Sequence, residues 1–336
     1  MADELRLALP SKGELEEDTL HLMAACGLRV DRTNPRQYTA RIPAAPGVRV
    51  LFQRAADILT KIEEGSADIG ITGLDIVREN AAEDGDVVVV MDLGYGRCDL
   101  VLAVPESWID VSSLSDLAEV TAGFKSKGRE LRVVTKFPNL TRQFLYRSGI
   151  TYFTLVEAHG ALEIAPSMGY ADIIADLTTS GTTLHDNRLK RISGGTILSS
   201  QACLIGNRRL LAASEIKLQM TRSIIELFEG HLRAGGYLSV TANIQGESAQ
   251  AVAQAIMRAP ELAGLQGPTV GQVFAKGRDD EGWYAVTVVV PKELLLRTVE
   301  HLRRCGGSDV TVSPLAYVFE AKSWSYQALL DKIKAK

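Results

Sequence analysis

Cysteine, histidine and tryptophan are scarce in this 336-residue chain, at 4, 5 and 3 copies. Cys26, Cys98, Cys203 and Cys305 are widely scattered, with no Cys-x-x-Cys pair and no histidine at metal-ligand spacing. Neither a disulfide framework nor a zinc site is therefore expected. A basic excess is missing too: 37 Lys and Arg stand against 41 Asp and Glu, for a net charge of -4, which argues against a nucleic-acid partner. No stretch approaches the roughly 18 apolar residues of a membrane-spanning helix. The opening MADELRLALPSKGELEED turns acidic within a few residues and lacks the basic-then-apolar layout of a secretory signal. The expected location is cytoplasmic, without membrane attachment. What remains is ordinary for a folded protein: 46% hydrophobic and 23% charged residues, and enough chain for two or three domains of roughly 100–200 residues.

Short apolar runs alternate with amphipathic stretches from the start. Residues 5–9 read as a buried strand, and Leu15, Leu22 and Cys26 line one side of a helix that Gly27 ends. Ser11-Lys12-Gly13-Glu14 between them has the form of a capping box. A second strand, 48–52, runs through Gln53-Arg54 into a helix near 57–64 closed by Gly65. A third, 67–71, ends in Thr72-Gly73 before another short helix. Such alternation predicts parallel strands with crossover helices, whose ligands gather where strands end and helices begin. The pattern restarts with strands at 100–104, 131–135, 152–156 and 172–177, a helix opening at Pro138, and a polar, glycine-containing loop over 122–130. Two similar α/β halves around a cleft are the economical architecture.

Over 208–232, Ile216, Met220, Ile224 and Phe228 recur four apart, one stripe of a long helix, before Gly235-Gly236 breaks the chain. Beyond it strands at 237–244, 268–274, 283–290 and 309–314 alternate with helices at 247–257 and 292–305. That β-α-β-β-α-β cadence is the ferredoxin-like order. By analogy of fold alone, a small appended domain of this kind is a small-molecule sensor. Residues 323–336 read as an additional amphipathic helix.

The chemistry concentrates in ADIIADLTTSGTTL, 171–184. An apolar strand ends at Asp176-Leu177 and empties into Thr178-Thr179-Ser180-Gly181-Thr182-Thr183. Five hydroxyls, a glycine that permits close backbone approach and consecutive backbone N–H groups suit a phosphate; an ordinary Ser/Thr-rich turn has the same composition. Asp176, just ahead of the loop, is placed to accept hydrogen bonds from sugar hydroxyls. Lys12 and Arg54 stand at the ends of the first two strands, where cations meet ligand phosphates, although exposed Lys and Arg are commonly just solvated. Thr72, Gly73 and Asp75 open the helix after the third strand, Asp75 in the position that complements a helix dipole. Gly94-Tyr95-Gly96 marks the crossover between halves, with Tyr95 either near a nucleotide or simply half-buried. Asn139, Leu140 and Thr141 offer another helix N-terminus to an anion. His21, His231 and His301 read as surface or boundary residues. Neither His159 nor His185 reads as an obligatory acid or base, and nothing marks Cys98 as an activated thiol.

The string E-x(5)-G-x-A-x(2)-I-x-D-L-x(2)-S-G-x-T-L, from Glu163 through Gly169, Ala171, Ile174, Asp176, Ser180, Gly181, Thr183 and Leu184, matches the signature of the ATP phosphoribosyltransferase family. LALPSKG, FQR, GSADIGITGLDIV, LGYGRCDL, TKFPNLTRQFL and QACLI follow in family order, and GLQGPTV resembles the regulatory domain of the family's long form. The resemblance implies an α/β fold of two periplasmic-binding-protein-like catalytic domains plus a C-terminal ferredoxin-like (ACT-like) regulatory domain. On this chain they would be domain I over 1–96 and 188–215, domain II over 97–187, a linker helix over 216–236, and the regulatory domain over 237–336.

It also implies a reaction, in which adenine N1 of ATP displaces pyrophosphate from phosphoribosyl pyrophosphate (PRPP), giving N1-(5-phosphoribosyl)-ATP in the first step of histidine biosynthesis. N1 keeps its lone pair, so no acid–base residue is required; alignment and charge stabilisation suffice. Asp176, Thr178, Thr179, Ser180, Gly181, Thr182, Thr183 and Glu163 would bind PRPP. Lys12, Arg54, Thr72, Gly73, Asp75 and Tyr95 would face ATP or pyrophosphate. Mg2+ would ride on substrate phosphates rather than in a dedicated protein cage. L-histidine would inhibit at Leu265, Thr269, Val289 and Asp309, AMP is a second inhibitor the resemblance suggests, and the assembly would be a homo-dimer or hexamer. Locally Leu265 and Val289 read as core residues of any such domain, and Asp309 stands where a small apolar residue is expected. Two other classes remain open: a periplasmic-type small-molecule binder without chemistry, and an idle regulatory subunit.

Overall fold

Parallel sheets are covered on both faces, and the leucine-rich opening segment is buried along nearly its whole length with a parallel neighbour on each side. In the computed structural model, which describes residues 4–32, 34, 37–82, 84–157, 161–274 and 282–334, β1 (Leu5–Pro10) pairs in parallel with β3 (Val48–Gln53) and β4 (Ile69–Gly73). The crossovers are α1 (Glu14–Ala25) and α2 (Ala55–Glu63), and α3 (Leu74–Asn80) follows β4 directly. Edge strands β2 (Thr39–Arg41) and β5 (Val87–Asp92), with β11 (Ala202–Asn207), complete a six-stranded sheet ordered β2-β3-β1-β4-β11-β5. The second sheet is built from β6 (Cys98–Pro105), β7 (Leu131–Thr135), β8 (Phe153–Glu157), β9 (Ile173–Thr178) and β10 (Leu189–Ser200), ordered β10-β6-β9-β7-β8. Its helices are α4 (Leu114–Ser126), α5 (Pro138–Arg147) and α6 (Thr182–Asp186).

Both sheets are mixed rather than purely parallel. β11 runs antiparallel to β4 and β5, and β6 antiparallel to β9 and β10, because these strands carry the chain between the sheets without a crossover helix. The expected loop over 122–130 is instead largely the end of α4. Ser113 and Asp116 form a reciprocal capping box there, and Phe124 packs edge-on against Trp108 at 6.1 Å. The polar residues of that stretch are one face of a helix. At Ser11 the predicted capping box is absent: α1 begins at Glu14, with Gly13 (φ 78°) as its cap and no side-chain hydrogen bond. That left-handed φ ends the preceding turn and suits glycine alone among the four residues.

After α7 (Arg208–Ala212) the chain enters α8 (Glu215–Ala234). Its buried stripe is Leu218, Thr221, Ile224, Ile225 and Phe228, while Ile216 is exposed; the stripe drifts at i+3 and i+4 rather than holding a strict i+4 spacing. The described chain divides into two compact units, Met1–Arg222 with Ser325–Lys336, and Ser223–Trp324. In the second, β12 (Tyr237–Gln245), α9 (Ala249–Ile256), β13 (Thr269–Gln272), β14 (Trp283–Pro291), α10 (Leu295–Arg304) and β15 (Gly307–Pro314) form an antiparallel sheet ordered β13-β14-β12-β15, the ferredoxin-like arrangement. Val240, Ala242, Ile244, Val286, Val288 and Val290 form its core with the helices. The tail departs from expectation. α11 (Trp324–Lys334) groups with the first unit, where Leu329 is fully buried and Lys332 Nζ donates to the Val89 carbonyl of β5 at 2.6 Å.

One device recurs in both sheets of the first unit. Asp68, just before β4, accepts from Arg6 N (2.8 Å), Nε (3.0 Å) and Nη2 (2.8 Å) on β1. Asp172, just before β9, accepts from the same three groups of Arg132 on β7, at 2.9, 3.3 and 3.1 Å. In both, the aspartate N–H returns to the arginine carbonyl, and both stand in an Ala-Asp-Ile triplet. A fourth donor closes each cluster: Lys217 Nζ at 2.9 Å on Asp68, and Arg129 on Asp172. Burial would raise both carboxyl pKa values, but the arginine hydrogen bonds, joined by the Lys217 hydrogen bond at Asp68 and the Arg129 charge at Asp172, hold them below the usual value. Stability from such a group is present above the unfolded aspartate pKa near 4 and is lost as pH falls through the lower folded value. Asp68→Asn is therefore expected to cost about 3 kcal/mol at neutral pH, by leaving Arg6 and Lys217 without their carboxylate. Urea unfolding should show that deficit closing only in strong acid; a deficit independent of pH would refute the ion-pair account.

Candidate functional site

The hydroxyl-rich segment lies where the parallel strands of the second sheet end. β9 stops at Thr178, whose buried Oγ1 accepts from Gly181 N at 2.9 Å and holds the turn closed. Gly181 adopts φ 81°, a left-handed conformation that lets α6 start immediately afterwards. Ser180 Oγ and Thr182 Oγ1 share a hydrogen at 2.8 Å, and the side chains of Thr179, Ser180, Thr182 and Thr183 are exposed. Asp176 shares a strand face with Ile174, which packs among Leu162, Ala165 and Leu184. Burial pushes its carboxyl pKa up, as does the Glu163 charge; the Leu177 N–H at 2.8 Å and the Lys136 cation act in the opposite direction. A desolvated carboxylate with one backbone donor has room for hydroxyl donors from a ligand. Lys136, at the end of β7, was not singled out from sequence; only its position after a strand marks it.

The first sheet presents cations at its corresponding edge. Lys12 and Arg54 are exposed and line a cavity of about 550 Å³ with Ser11, Gln53, Asp57, Phe52, Tyr38 and Arg32. Arg32 is a third cation that sequence reading missed, since it stands outside any strand-end pattern. Its guanidinium lies 4.0 Å over the Phe52 ring and 3.2 Å from Glu16. A smaller cavity of about 390 Å³ brings Thr179 of the loop together with Arg97, Cys98, Asp99, Ser199, Ser200 and Gln201 from the strands linking the sheets. Arg97 too was missed, though it stands in the GYGRCDL segment.

Other expected residues are engaged within the protein. Thr72 is fully buried and donates to the Ala55 carbonyl at 2.8 Å. Asp75 accepts from Ser200 Oγ at 2.7 Å and its N–H donates back to that oxygen. A Cβ at Gly73 would meet Asp75 Oδ1 at 2.4 Å, so glycine is required by that closure. Tyr95 shares a hydrogen bond with Thr19 on α1 at 2.8 Å, and burial pushes its pKa up. The N-terminus of α5, expected to face a ligand anion, instead holds the Glu79 carboxylate, which accepts from Asn139 N and Leu140 N. Thr141 is buried against Thr135.

Cys98 is not an activated thiol: burial pushes it up, and Cys26 and Cys203 rise to about 12 for the same reason. His21 and His185 are exposed, and His231 and His301 each meet a backbone carbonyl; His159 lies outside the described residues. In the second unit, Leu265 and Val289 are not core residues. Leu265 is 46% exposed, and Val289 alternates with buried Val288 and Val290 onto the open face of the sheet. Thr269 is exposed at the start of β13. Asp309 has φ 50° at a register shift in β15, which places a small polar residue where an apolar one was expected. Among the described residues, no group of three or more His, Cys, Asp or Glu could hold a metal ion, and no helix is long and apolar enough to cross a membrane.

With this geometry in hand, comparison with known proteins is informative. The family described as ATP phosphoribosyltransferase matches residues 54–230, and its C-terminal domain matches residues 234–317. The chain is 43% identical over 336 residues to ATP phosphoribosyltransferase 2, chloroplastic, of Arabidopsis thaliana, covering 98% of this chain and 81% of that one. It is 36% identical to the ATP phosphoribosyltransferase of Bradyrhizobium diazoefficiens, over 94% of each. Among solved structures, the ATP phosphoribosyl transferase (HisG:HisZ) complex from Thermotoga maritima aligns with a TM-score of 0.51 at 24% identity, covering 67% of this chain and 98% of that one; that likeness concerns the fold. The Asp176 environment has a direct test. Carboxyl 13C shifts followed against pH should give Asp176 a pKa above the ordinary value near 4, and Glu163→Gln should lower it by removing the neighbouring negative charge. No movement in the variant would show that the two carboxylates do not interact.

Proposed function

The chain belongs to the ATP phosphoribosyltransferase family, and we propose that the carboxyl edges of its two catalytic sheets divide the substrates between them. It is a phosphoribosyltransferase of histidine biosynthesis, joining adenine N1 of ATP to C1 of PRPP with release of pyrophosphate. Its fold is two periplasmic-binding-protein-like α/β domains followed by a ferredoxin-like regulatory domain. In our reading the loop Thr178, Thr179, Ser180, Gly181, Thr182 and Thr183 grips the ribose 5-phosphate through hydroxyls and backbone N–H groups. Asp176 accepts from the ribose hydroxyls, with Glu163 beside it, and their negative charge favours the oxocarbenium-like centre that forms as pyrophosphate leaves. Lys12, Arg54 and Arg32 meet the triphosphate or the departing pyrophosphate. Thr72, Gly73, Asp75 and Tyr95 act at the ATP side as a frame, their polar groups being engaged in internal hydrogen bonds.

The observation that carries this reading is the open hydroxyl loop beside a desolvated aspartate at one strand edge. No residue needs to remove a proton from N1, so the chemistry falls to alignment and charge. Mg2+ supplies charge neutralisation on the pyrophosphate when bound, and the Asp176 and Glu163 carboxylates are oxygen donors of the kind this ion accepts. We assign catalytic domain I to 1–96 and 188–215, domain II to 97–187, the linker to 216–236 and the regulatory domain to 237 onward, with α11 returned to the catalytic unit. L-histidine is the proposed inhibitor at Leu265, Thr269, Val289 and Asp309, AMP a second one, the assembly a homo-dimer or hexamer, and the location cytoplasmic.

A pyrophosphate-coupled assay following phosphoribosyl-ATP absorbance tests both halves of the proposal. Asp176→Ala should lower kcat/KM for PRPP about 100-fold with unchanged melting temperature; unaltered kinetics would remove Asp176 from the site. Added histidine should suppress turnover of the unmodified protein, and turnover indifferent to histidine would discard the sensor assignment.

A further inference from the structure

The first four N–H groups of a helix have no intrahelical acceptor and carry the positive end of the helix dipole. α5 has no cap of its own: Phe137 occupies the capping position and makes no side-chain bond. The acceptor comes from α3, 60 residues earlier. Glu79 Oε1 accepts from Asn139 N at 2.8 Å, its Oε2 accepts from Leu140 N at 2.9 Å, and Asn139 Nδ2 donates to the Glu79 carbonyl at 3.1 Å. Glu79 is 7% exposed, an unusual place for a carboxylate unless it is fully engaged. The other end of α3 is fastened to the linking strands, through Leu74 N to the Gln201 carbonyl and through the Asp75–Ser200 pair. α3 thus belongs to the first sheet by sequence, yet its last turn closes a helix of the second.

What α5 carries makes this contact consequential. Lys136 stands two residues before Pro138, in a turn made stiff by Phe137 N donating to Thr135 Oγ1 at 2.9 Å and by the Thr135–Thr141 hydroxyl pair. β7 and β9 run parallel with Thr135 opposite Ala175, so Lys136 and Asp176 are the next residues along the same edge, and the position of Lys136 there follows the start of α5. We infer that Glu79 is a positioning residue for the transfer reaction, capping α5 from the opposite half so that Lys136 is held beside Asp176 at the PRPP edge. The inference rests on the reading that Asp176 and its loop take PRPP. Glu79 touches no substrate and acts only through α5.

Kinetics of Glu79→Ala and Glu79→Gln test it, with Asp176→Ala in parallel and excess formate as the probe. Losing a charge-assisted contact to two N–H groups should raise KM for PRPP about tenfold, with KM for ATP and kcat changed much less. Formate, a small carboxylate able to enter the vacated space in Glu79→Ala, should restore part of the PRPP affinity; chloride at equal ionic strength should not. If Glu79→Ala does not fold, Glu79→Gln, which keeps the volume and one acceptor, should show a smaller rise in the same parameter. Equal losses in both KM values and kcat without formate rescue would overturn the inference in favour of general destabilisation. Unchanged PRPP kinetics in the Glu79 variants, alongside a damaged Asp176→Ala, would overturn it while leaving the PRPP site standing. If Asp176→Ala is also unimpaired, the site reading fails first and the inference with it.

Discussion

A buried aspartate that receives both the backbone and the guanidinium of an arginine one strand away is the constraint on which each catalytic sheet depends. Asp68 with Arg6, and Asp172 with Arg132, bind the amino end of one parallel strand to its neighbour. A carboxylate in that position is tolerable only because every lone pair faces a donor. The consequence lies at the other end of the strands. With β1 and β4 fixed in register at the bottom, as β7 and β9 are, their carboxyl ends arrive together, and the residues that follow them share an edge. Lys12 follows β1 and Asp75 follows β4 in one sheet; Lys136 follows β7 and Thr179 follows β9 in the other. The halves are variations on one plan: β4 runs directly into α3, whereas β9 empties into the hydroxyl-rich turn ahead of α6.

Helix N-termini show how the molecule separates structure from ligand binding. Each is a place where an anion is favoured, so each must be filled or left open. At α1 the first turn carries Glu14, Glu16 and Glu17. At α3 the donors are taken by Gln201 and Ser200, and at α5 by Glu79. The loop ahead of α6 differs: Thr178 is buried with its hydroxyl on Gly181 N, Ser180 and Thr182 bond to each other, and Thr179, Ser180, Thr182 and Thr183 remain exposed. In our proposal that contrast directs the phosphate of PRPP to one place among several otherwise similar strand ends. The same economy applies to charge. With a net charge of -4, the chain has no overall basic field, and in our proposal polyanionic substrates are met locally by Lys12, Arg32 and Arg54 around one cavity.

Much of this was legible from the chain. Apolar runs separated by helical periods placed β1, β3, β7 and β9 within two residues, because a strand buried on both faces has little sequence freedom. The cadence after Gly236 identified the ferredoxin-like unit for a different reason: its strands alternate between a buried face and an open one, the period-2 signal of an antiparallel sheet. Local signals misled where a competing conformation won: Gly13 displaced Ser11 as the cap of α1, and polar residues on the outer face of α4 imitated a loop. β10 and β11 escaped notice because their pairing is antiparallel and long-range, which leaves no local period distinct from a loop rich in serine and glycine.

By itself the sequence determined the fold class, the family and the loop composition, since each is written in short-range pattern or in residues at set spacing. Only the tertiary structure decided which polar groups remain available. Asp75, Thr72 and Thr141 look as functional as Asp176 in a string of letters, but Ser200, Ala55 and Thr135 engage them across separations of 125, 17 and 6 residues. Arg32 and Lys136 acquire significance only beside Phe52 and Asp176. A side chain's solvation and its free lone pairs depend on neighbours brought by folding, and no periodicity of the chain encodes them.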